Sequence, residues 1–341
     1  MGQLIYVGFP YAHHKGLHAG YHHIADTGIY DKFIDCYAER EFWFRAERSR
    51  AFHYLARLKS VVLGSEPIWA LIKCCFIAAL TRNNTFHFIY GENTYKWIHC
   101  FAGKTNKIVC TFHQPASWFK SKPKLLKRLK TIDKIILMSK DDVEQFKEWT
   151  GKDNVRFIPH GIYTDFYKPD VMVPHERMIL MVGNWLRDFE MANRVFTDLL
   201  DQDPLLEVNV VSLRENESLL PQHKRLHFHT GITDESLRDL YRRCSVLFLP
   251  LKQYTANNAL LEASATGCHI VVATNQQESS YLNESQIDII PLEKGVIENH
   301  LESLLNEPYD RVKAEDVRQY VVRNFSWERI GQITKDYILN Q

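Results

Sequence analysis

"SVLFLPLKQYTANNALLEASATGCHIVVA", Ser245–Ala273, is the stretch on which the fold turns. It opens and closes on continuous apolar runs of strand length, "SVLFLP" and "HIVVA", with a small-residue helix, "ALLEASA", between them. Two strands joined through a helix form the unit of a parallel sheet. Sheets covered on both faces read as unbroken apolar runs, not as alternating ones. The linking segment is polar, "TANN", and the helix carries one acid, Glu262, among apolar neighbours.

The same alternation extends in both directions. Strand-like runs recur as "LIYVGFP", "FHFIYG", "KIVCTFH", "KIILMS" and "VRFIPHG", and then as "MILMVGN", "EVNVVS", "LHFHTG" and "IDIIP". Helical segments lie between most of them; "KDDVEQFKEWTG", for example, starts on acids and ends on a glycine. The pattern pauses once, at "YTDFYKPDVMVPHERM", where two prolines and mixed charges make a linker. This predicts two doubly wound α/β domains, residues 1–170 and 175–320, with a final helix in 321–341 packing back on the first. In such sheets ligands sit at the carboxyl ends of the strands, so function is expected in the loops that follow them, in a cleft between two facing domains.

Bulk composition narrows the class. The 341 residues, 45% hydrophobic and 24% charged, describe an ordinary globular chain. A net charge of +1 gives no global field to favour nucleic acid. Seven scattered cysteines lack a C-x-x-C pair or zinc spacing, and read as reduced thiols in a cytoplasm. The start, "MGQLIYVGFPYAHH", has no signal-peptide pattern, and Tyr6 stands where myristoylation needs Ser or Thr. "PIWALIKCCFIAAL", Pro67–Leu80, is short of the roughly 20 residues a membrane span needs and is interrupted by Lys73, so it reads as a core helix.

The loops carry the candidate chemistry. After the first strand, Gly16 and Gly20 permit close backbone approach, and a helix from near Gly20 would aim free N–H groups at a ligand; a plain loop fits as well. His13, His14, His18, His22 and His23 crowd the same loop without partners at ligand spacing, so no metal site is read there. His113 directly follows the strand "KIVCTF", where it is either a cleft group or a satisfied core histidine. Glu92 follows another strand and either faces the same region or caps the next helix. In the second domain, Asn184, Arg187 and Asp188 lie just past "MILMV", and the guanidinium fork of Arg187 suits phosphate oxygens. Gly231 and Ile232 follow "LHFHT". Thr255, Asn257 and Asn258 stand at a helix N-terminus, where backbone N–H groups suit a phosphate. Glu262, farther into that helix, is either an acceptor for paired ribose hydroxyls or a half-buried structural acid.

Taken in order, these motifs resemble the retaining family 4 glycosyltransferases (glycosyl transferases group 1) of the GT-B fold. "LHFHTGITDESLRDLYRRCSVLFLPLKQYTANNALLEASATGCHIVVA" is similar to their donor-binding half; "NVRFIPHGIYTDFYKP", "ILMVGNWLRD", "DKIILMSKDDVEQF" and "NFSWERI" support it. The resemblance covers the second domain and the first from about Lys107 onward. It implies two Rossmann-like domains and transfer of a hexose from a UDP- or GDP-sugar to a glycan or lipid-linked acceptor. Anomeric configuration is retained, with no cofactor or metal, in polysaccharide biosynthesis. By this analogy Glu262 binds the ribose. Thr255, Asn257 and Asn258 hold the diphosphate or sugar, and Arg187 neutralises the leaving group. Gly16 and Gly20 bring the first loop close, His113 and Glu92 meet the sugar or acceptor, Asn184 joins the donor site, and Gly231 and Ile232 take the base edge.

Two positions depart from the family. The glutamate expected eight residues before Glu262 is Tyr254, and the expected arginine–lysine pair falls at Asn184 and near Phe189, leaving Arg187 and possible help from Lys252. A degraded, nucleotide-binding homologue and a nucleotide-sugar epimerase or hydrolase are therefore the alternatives. "WFKSKPKLLKRLKTIDK", Trp118–Lys134, is a basic, partly apolar run that reads either as a helix lying on anionic lipid at the inner membrane face or as a solvated helix face.

Overall fold

The computed structural model describes residues 2–11, 17–63 (side chains to Ser60), 67–252, 257–275 and 280–340. The chain forms two compact units, Met1–Gly161 with Trp327–Gln341, and Ile162–Ser326. The second unit begins ahead of the boundary that the linker composition suggests.

The first unit runs β1 (Leu4–Gly8), a 3-10 helix (Tyr21–Thr27), β2 (Lys32–Asp35), α1 (Tyr37–Arg48), α2 (His53–Leu63), α3 (Ile68–Leu80), β3 (Thr85–Phe88), α4 (Gly91–Thr94), β4 (Lys107–Phe112), α5 (Ala116–Lys120), α6 (Pro123–Leu129), β5 (Lys134–Leu137), α7 (Val143–Thr150) and β6 (Val155–Phe157). All strand pairs are parallel, in the order β2-β1-β3-β4-β5-β6. Every residue of β1 and β3 is buried, as strands covered on both faces must be.

The second unit runs β7 (Glu176–Val182), α8 (Phe189–Gln202), β8 (Glu207–Val211), β9 (Leu226–His229), α9 (Asp234–Arg243), β10 (Cys244–Leu251), α10 (Asn258–Thr266), β11 (His269–Thr274), β12 (Asp288–Ile290), α11 (Val296–Asn306) and α12 (Arg311–Phe325). Its parallel order is β12-β11-β10-β7-β8-β9. The chain leaves β7 in one direction to make β8 and β9, then returns to the other side of β7 for β10. The carboxyl ends of β7 and β10 therefore flank the point where strand order reverses. Helix α10 is buried from Ala259 to Thr266; its small side chains let it pack against α9 and α12. Gly267, in the left-handed conformation, ends it.

The last helix, α13 (Trp327–Leu339), belongs to the first unit. Its buried Trp327 packs over Gly161, where any Cβ would lie 2.3 Å from the indole. The Nζ of Lys134 donates to the carbonyls of Tyr337 and Ile338 at 2.6 and 3.3 Å, fixing the end of this helix beside β5.

Four local expectations are corrected. β2 was not anticipated. The segment after Gly20 is a 3-10 helix, not an α-helix, so it has no extended dipole to offer. The basic run 118–134 is not one helix: Pro123 starts a second short helix, and Lys134 already opens β5. Phe119, Leu125 and Leu129 there are buried, while Lys120, Lys122, Lys124, Lys127 and Lys130 are exposed. Helix α3 is only half a core helix: Ile68, Leu71, Cys74 and Ala78 are buried, while Trp69, Ile72 and Phe76 are exposed. Among the described residues no helix is long and apolar enough to cross a membrane.

Candidate functional site

The polar groups of the second unit gather at the carboxyl ends of β7 and β10. After β7 the chain turns through Gly183 (φ 104°) and Leu186 (φ 58°), a left-handed conformation rare for a branched residue. An antiparallel bridge between Arg187 and Leu251, with Lys252 N–H donating to the Leu186 carbonyl at 3.0 Å, clamps this turn to the end of β10. Asp188 caps α8, its carboxylate accepting from the Met191 N–H at 3.0 Å. An acid thus occupies the helix start, as the dipole favours, and Arg187 is turned the other way.

The Arg187 guanidinium donates through Nε to the Val182 carbonyl at 2.9 Å and through Nη2 to the Asn257 side-chain oxygen at 3.1 Å, with a longer bond, 3.4 Å, to the Trp185 carbonyl. Each of these acceptors is neutral, and among the described residues no carboxylate pairs with it. Burial pushes the guanidinium down to about 10, which leaves it cationic at neutral pH. Gly183 makes room for it: a Cβ there would stand 2.7 Å from Nη2.

Asn257 joins this cation to α10. Its side-chain oxygen also accepts from the Leu260 N–H at 3.4 Å, as the N-cap of the helix. The residue is 5% exposed, and its Nδ2 has no hydrogen-bond partner among the described residues. A buried, unsatisfied amide donor costs roughly 1–3 kcal/mol and marks a place where an acceptor belongs. Asn258, half-buried, opens α10 beside it.

Glu262 lies one turn deeper on the same helix and faces elsewhere. It is 2% exposed, and its Oε2 accepts from the Tyr241 hydroxyl at 2.9 Å. Burial raises its carboxyl to about 7; Tyr241 pulls down against this, and Asp234 adds to the rise. The carboxylate in turn raises the hydroxyl of the neighbouring Tyr167, second to burial. Of the other donor-site expectations, Asn184 is exposed past β7, and Gly231 (φ 64°) is exposed past β9, with Ile232 half-buried beside it. Gly16, His13, His14, Tyr254 and Thr255 lie outside the described residues.

In the first unit, the loops after β1, β3 and β4 bring a second polar group together. Glu92 Oε1 stands 3.5 Å from His113 Nδ1 and accepts from the His113 backbone N–H at 3.3 Å, while its Oε2 has no hydrogen-bond partner among the described residues. The His113 ring packs against Tyr90 and Tyr21, at 4.6 and 5.0 Å between centroids. The Tyr11 hydroxyl donates to Asn93 at 2.7 Å, tying the β1 and β3 loops together. Gly20 (φ 110°) precedes the 3-10 helix, in which burial and the adjacent His23 push His22 down to about 4. His23 is held between Asp26, at 2.8 Å, and the Leu17 carbonyl, at 2.7 Å.

The sequence singles out Arg187, Asn257, His113 and Glu92 by their place after strands or at a helix start, and does not single out Gly183 or Tyr241. A glycine directly after a buried strand was the available signal for the first. Nothing in the sequence marks Tyr241, which is 21 residues from its partner.

No protein family model matches the chain, and no curated protein does. Solved structures do. The chain is similar to HepE of Anabaena, solved in complex with UDP, at TM-score 0.70 and 13% identity over 99% of this chain and 100% of that one. It is similar to the trehalose 6-phosphate synthase of Burkholderia multivorans at TM-score 0.69 and 12% identity, over 99% and 98%. It is also similar to TarM, at TM-score 0.64 and 10% identity over 80% of this chain, and spans 58% of the length of TarM. The two parallel six-stranded sheets with their covering helices have the GT-B fold of these glycosyltransferases.

Proposed function

We propose that the chain is a retaining glycosyltransferase. It moves a sugar from a UDP- or GDP-linked donor to a hydroxyl of a glycan or lipid-linked glycan, without a metal, in building a surface polysaccharide. One observation carries the reading: Arg187, which among the described residues is bound to neutral oxygens alone, is bonded to the cap of α10 at the strand-order reversal, and that cap has a buried amide donor without a hydrogen-bond partner among the described residues. A cation, an unpaired donor and a helix N-terminus that converge without an acid make a receptor for an anion. UDP in HepE, and UDP-glucose in the same protein, supply the analogy for what that anion is.

In this reading the diphosphate lies against Arg187, Asn257, Asn258 and the first N–H groups of α10. Charge develops on it as the bond to the anomeric carbon breaks, and fixed donors lower that barrier because they need no reorganisation. The departing phosphate oxygen takes the proton of the attacking hydroxyl on the same face, which retains configuration and needs no second carboxylate. Asn184 and Thr255 complete the donor site, and Gly231 and Ile232 offer backbone to the base. Gly16 and Gly20 are assigned to donor binding, and Glu92 and His113 to the sugar or acceptor, by analogy alone. Glu262 is proposed as the ribose acceptor. Its engagement by Tyr241 favours a second reading, nucleotide binding without turnover.

The test is release of nucleotide from UDP- and GDP-sugars, with and without glycan acceptors, for the natural chain and Arg187→Gln. Release that requires acceptor and falls at least about 100-fold in the variant supports transfer. Release without acceptor indicates hydrolysis. Binding without release in every case leaves the second reading.

A further inference from the structure

Ten of the twenty-two exposed large apolar side chains among the described residues fall between Phe42 and Leu80. They are not scattered, as single exposed hydrophobics normally are. On α3, Trp69, Ile72, Phe76 and Leu80 are 51–68% exposed, and their spacing lines them along one face with the exposed Lys73 among them. On α2 and the turn before it, Phe52, Tyr54, Leu55 and Leu58 are 52–82% exposed, and among the described side chains of that helix only Ala56 and Lys59 are buried. On α1, Phe42 and Phe44 are exposed, and the Arg48 guanidinium lies 4.0 Å over the Phe44 ring.

The three helices are tied to one another by side-chain contacts. Glu39 of α1 accepts from the backbone N–H groups of Trp69 and Ala70 at 2.9 and 3.0 Å, capping α3. It also takes the Trp43 indole N–H at 3.3 Å, and α2 packs along α1 with Lys59 5.5 Å from the Trp43 ring.

Charge identifies the occupant. Residues 37–82 hold eight Lys and Arg (40, 45, 48, 50, 57, 59, 73, 82) against four acids (39, 41, 47, 66), a net +4 in a chain whose total is +1, so the remainder carries −3. Glu39 is spent on capping α3 and Glu41 faces Arg45 at 3.8 Å; of the cations, Lys59 is buried and Arg40 lies half-buried over the Phe9 ring, which leaves Arg45, Arg48, Arg50, Arg57, Lys73 and Arg82 exposed. A second copy meeting this face would bring two net-positive surfaces together, whereas an anionic partner is attracted to it. Aromatic and aliphatic groups interleaved with Arg and Lys instead suit an interface that is apolar below and anionic above, with the long basic side chains reaching up to the headgroups. We infer that α1, α2 and α3 form a docking surface for an anionic lipid bilayer, lying on it without crossing.

Flotation of the full chain with phosphatidylcholine vesicles, with and without phosphatidylglycerol, tests this. Expected are binding to the phosphatidylglycerol vesicles at low salt and weaker binding at high salt. Trp69→Gln/Ile72→Gln/Phe76→Gln should lower the partition at least about tenfold, since three apolar side chains no longer leave water on binding. Lys122→Gln/Lys124→Gln/Lys127→Gln, on the other basic segment, should leave it unchanged. Arg45→Glu/Lys73→Glu, both on exposed positions, should abolish the preference for anionic vesicles and keeps the test alive if the triple variant misfolds. The inference is overturned by absence of flotation at low salt, by a well-folded triple variant that floats like the natural chain, or by light scattering that shows the face buried in a stable dimer indifferent to vesicles.

Discussion

Replacing Glu262 by Gln tests the electrostatics of the second unit directly. The amide keeps the size of the side chain and an oxygen to accept from Tyr241, but it cannot ionise. In the natural chain the folded state holds this acid up to about 7, against 4.5 for the ordinary carboxyl. Below the lower value the group is protonated whether folded or not, and it contributes nothing. As pH rises from there, the unfolded chain ionises first while the fold resists, so folding loses stability until pH passes about 7, and the loss then stays constant. The full difference corresponds to about 3 kcal/mol at 1.36 kcal/mol per pKa unit. Complete burial leaves no solvent screening to reduce it. Between about pH 5 and about pH 8.5 the stability of Glu262→Gln relative to the natural chain should therefore rise by about 2.5 kcal/mol. Urea unfolding followed by circular dichroism at the two pH values, with the two units fitted as separate transitions, measures it. If the two proteins keep the same gap at both pH values, the acid is not held in a desolvated site, and the account of α10 as a buried helix with a trapped proton is wrong.

Asn257→Asp places a carboxylate against Arg187 while keeping a good helix cap, so the unliganded chain should gain about 1 kcal/mol and lose at least about tenfold in UDP affinity. Thermal unfolding and titration calorimetry read the two, and retained affinity would remove Arg187 from the phosphate site. Gly183→Ala forces a Cβ at φ 104° and 2.7 Å from Nη2 of Arg187; a cost of about 1–3 kcal/mol and displaced nucleotide binding are expected, checked by the same pair of measurements. Asp288 accepts from His269 and His300, both at 2.9 Å, and from Lys313 at 3.3 Å. Burial would raise its carboxyl, but the two histidine bonds and Lys313 outweigh that and hold it well below the usual range. This stability is present above the ordinary carboxylate pKa and is lost as pH falls through the depressed value. Asp288→Asn should therefore cost about 1–2 kcal/mol at neutral pH and progressively less in acid, seen as converging urea midpoints.

The sheet strands were legible because a strand covered on both faces must be apolar throughout, and no other element of that length needs to be. β2, "KFID", escaped because it lies at the sheet edge and buries only Ile34 fully, so its composition is that of a loop. Helix α3 misled because apolar sequence records which residues avoid water, not whether a neighbour covers them. Residue type and position made Arg187 and Asn257 candidates for a phosphate site, but their mutual hydrogen bond spans 70 residues and depends on the strand-order reversal. The engagement of Glu262 by Tyr241 was equally out of reach, since an isolated acid in an apolar helix is compatible with a ligand or with a hydroxyl from any other helix.

Trp327, seated on Gly161, makes the first unit discontinuous in the chain. During synthesis the second unit is whole once Ser326 has left the ribosome, while the first still lacks the indole that fills its interior. Until the last helix arrives, Tyr21 and His160 lack the Trp327 indole, which lies 5.8 and 5.1 Å from them in the finished protein. The half made first is therefore finished last, and removal of the carboxyl-terminal helix would be felt in the amino-terminal fold rather than next to the cut.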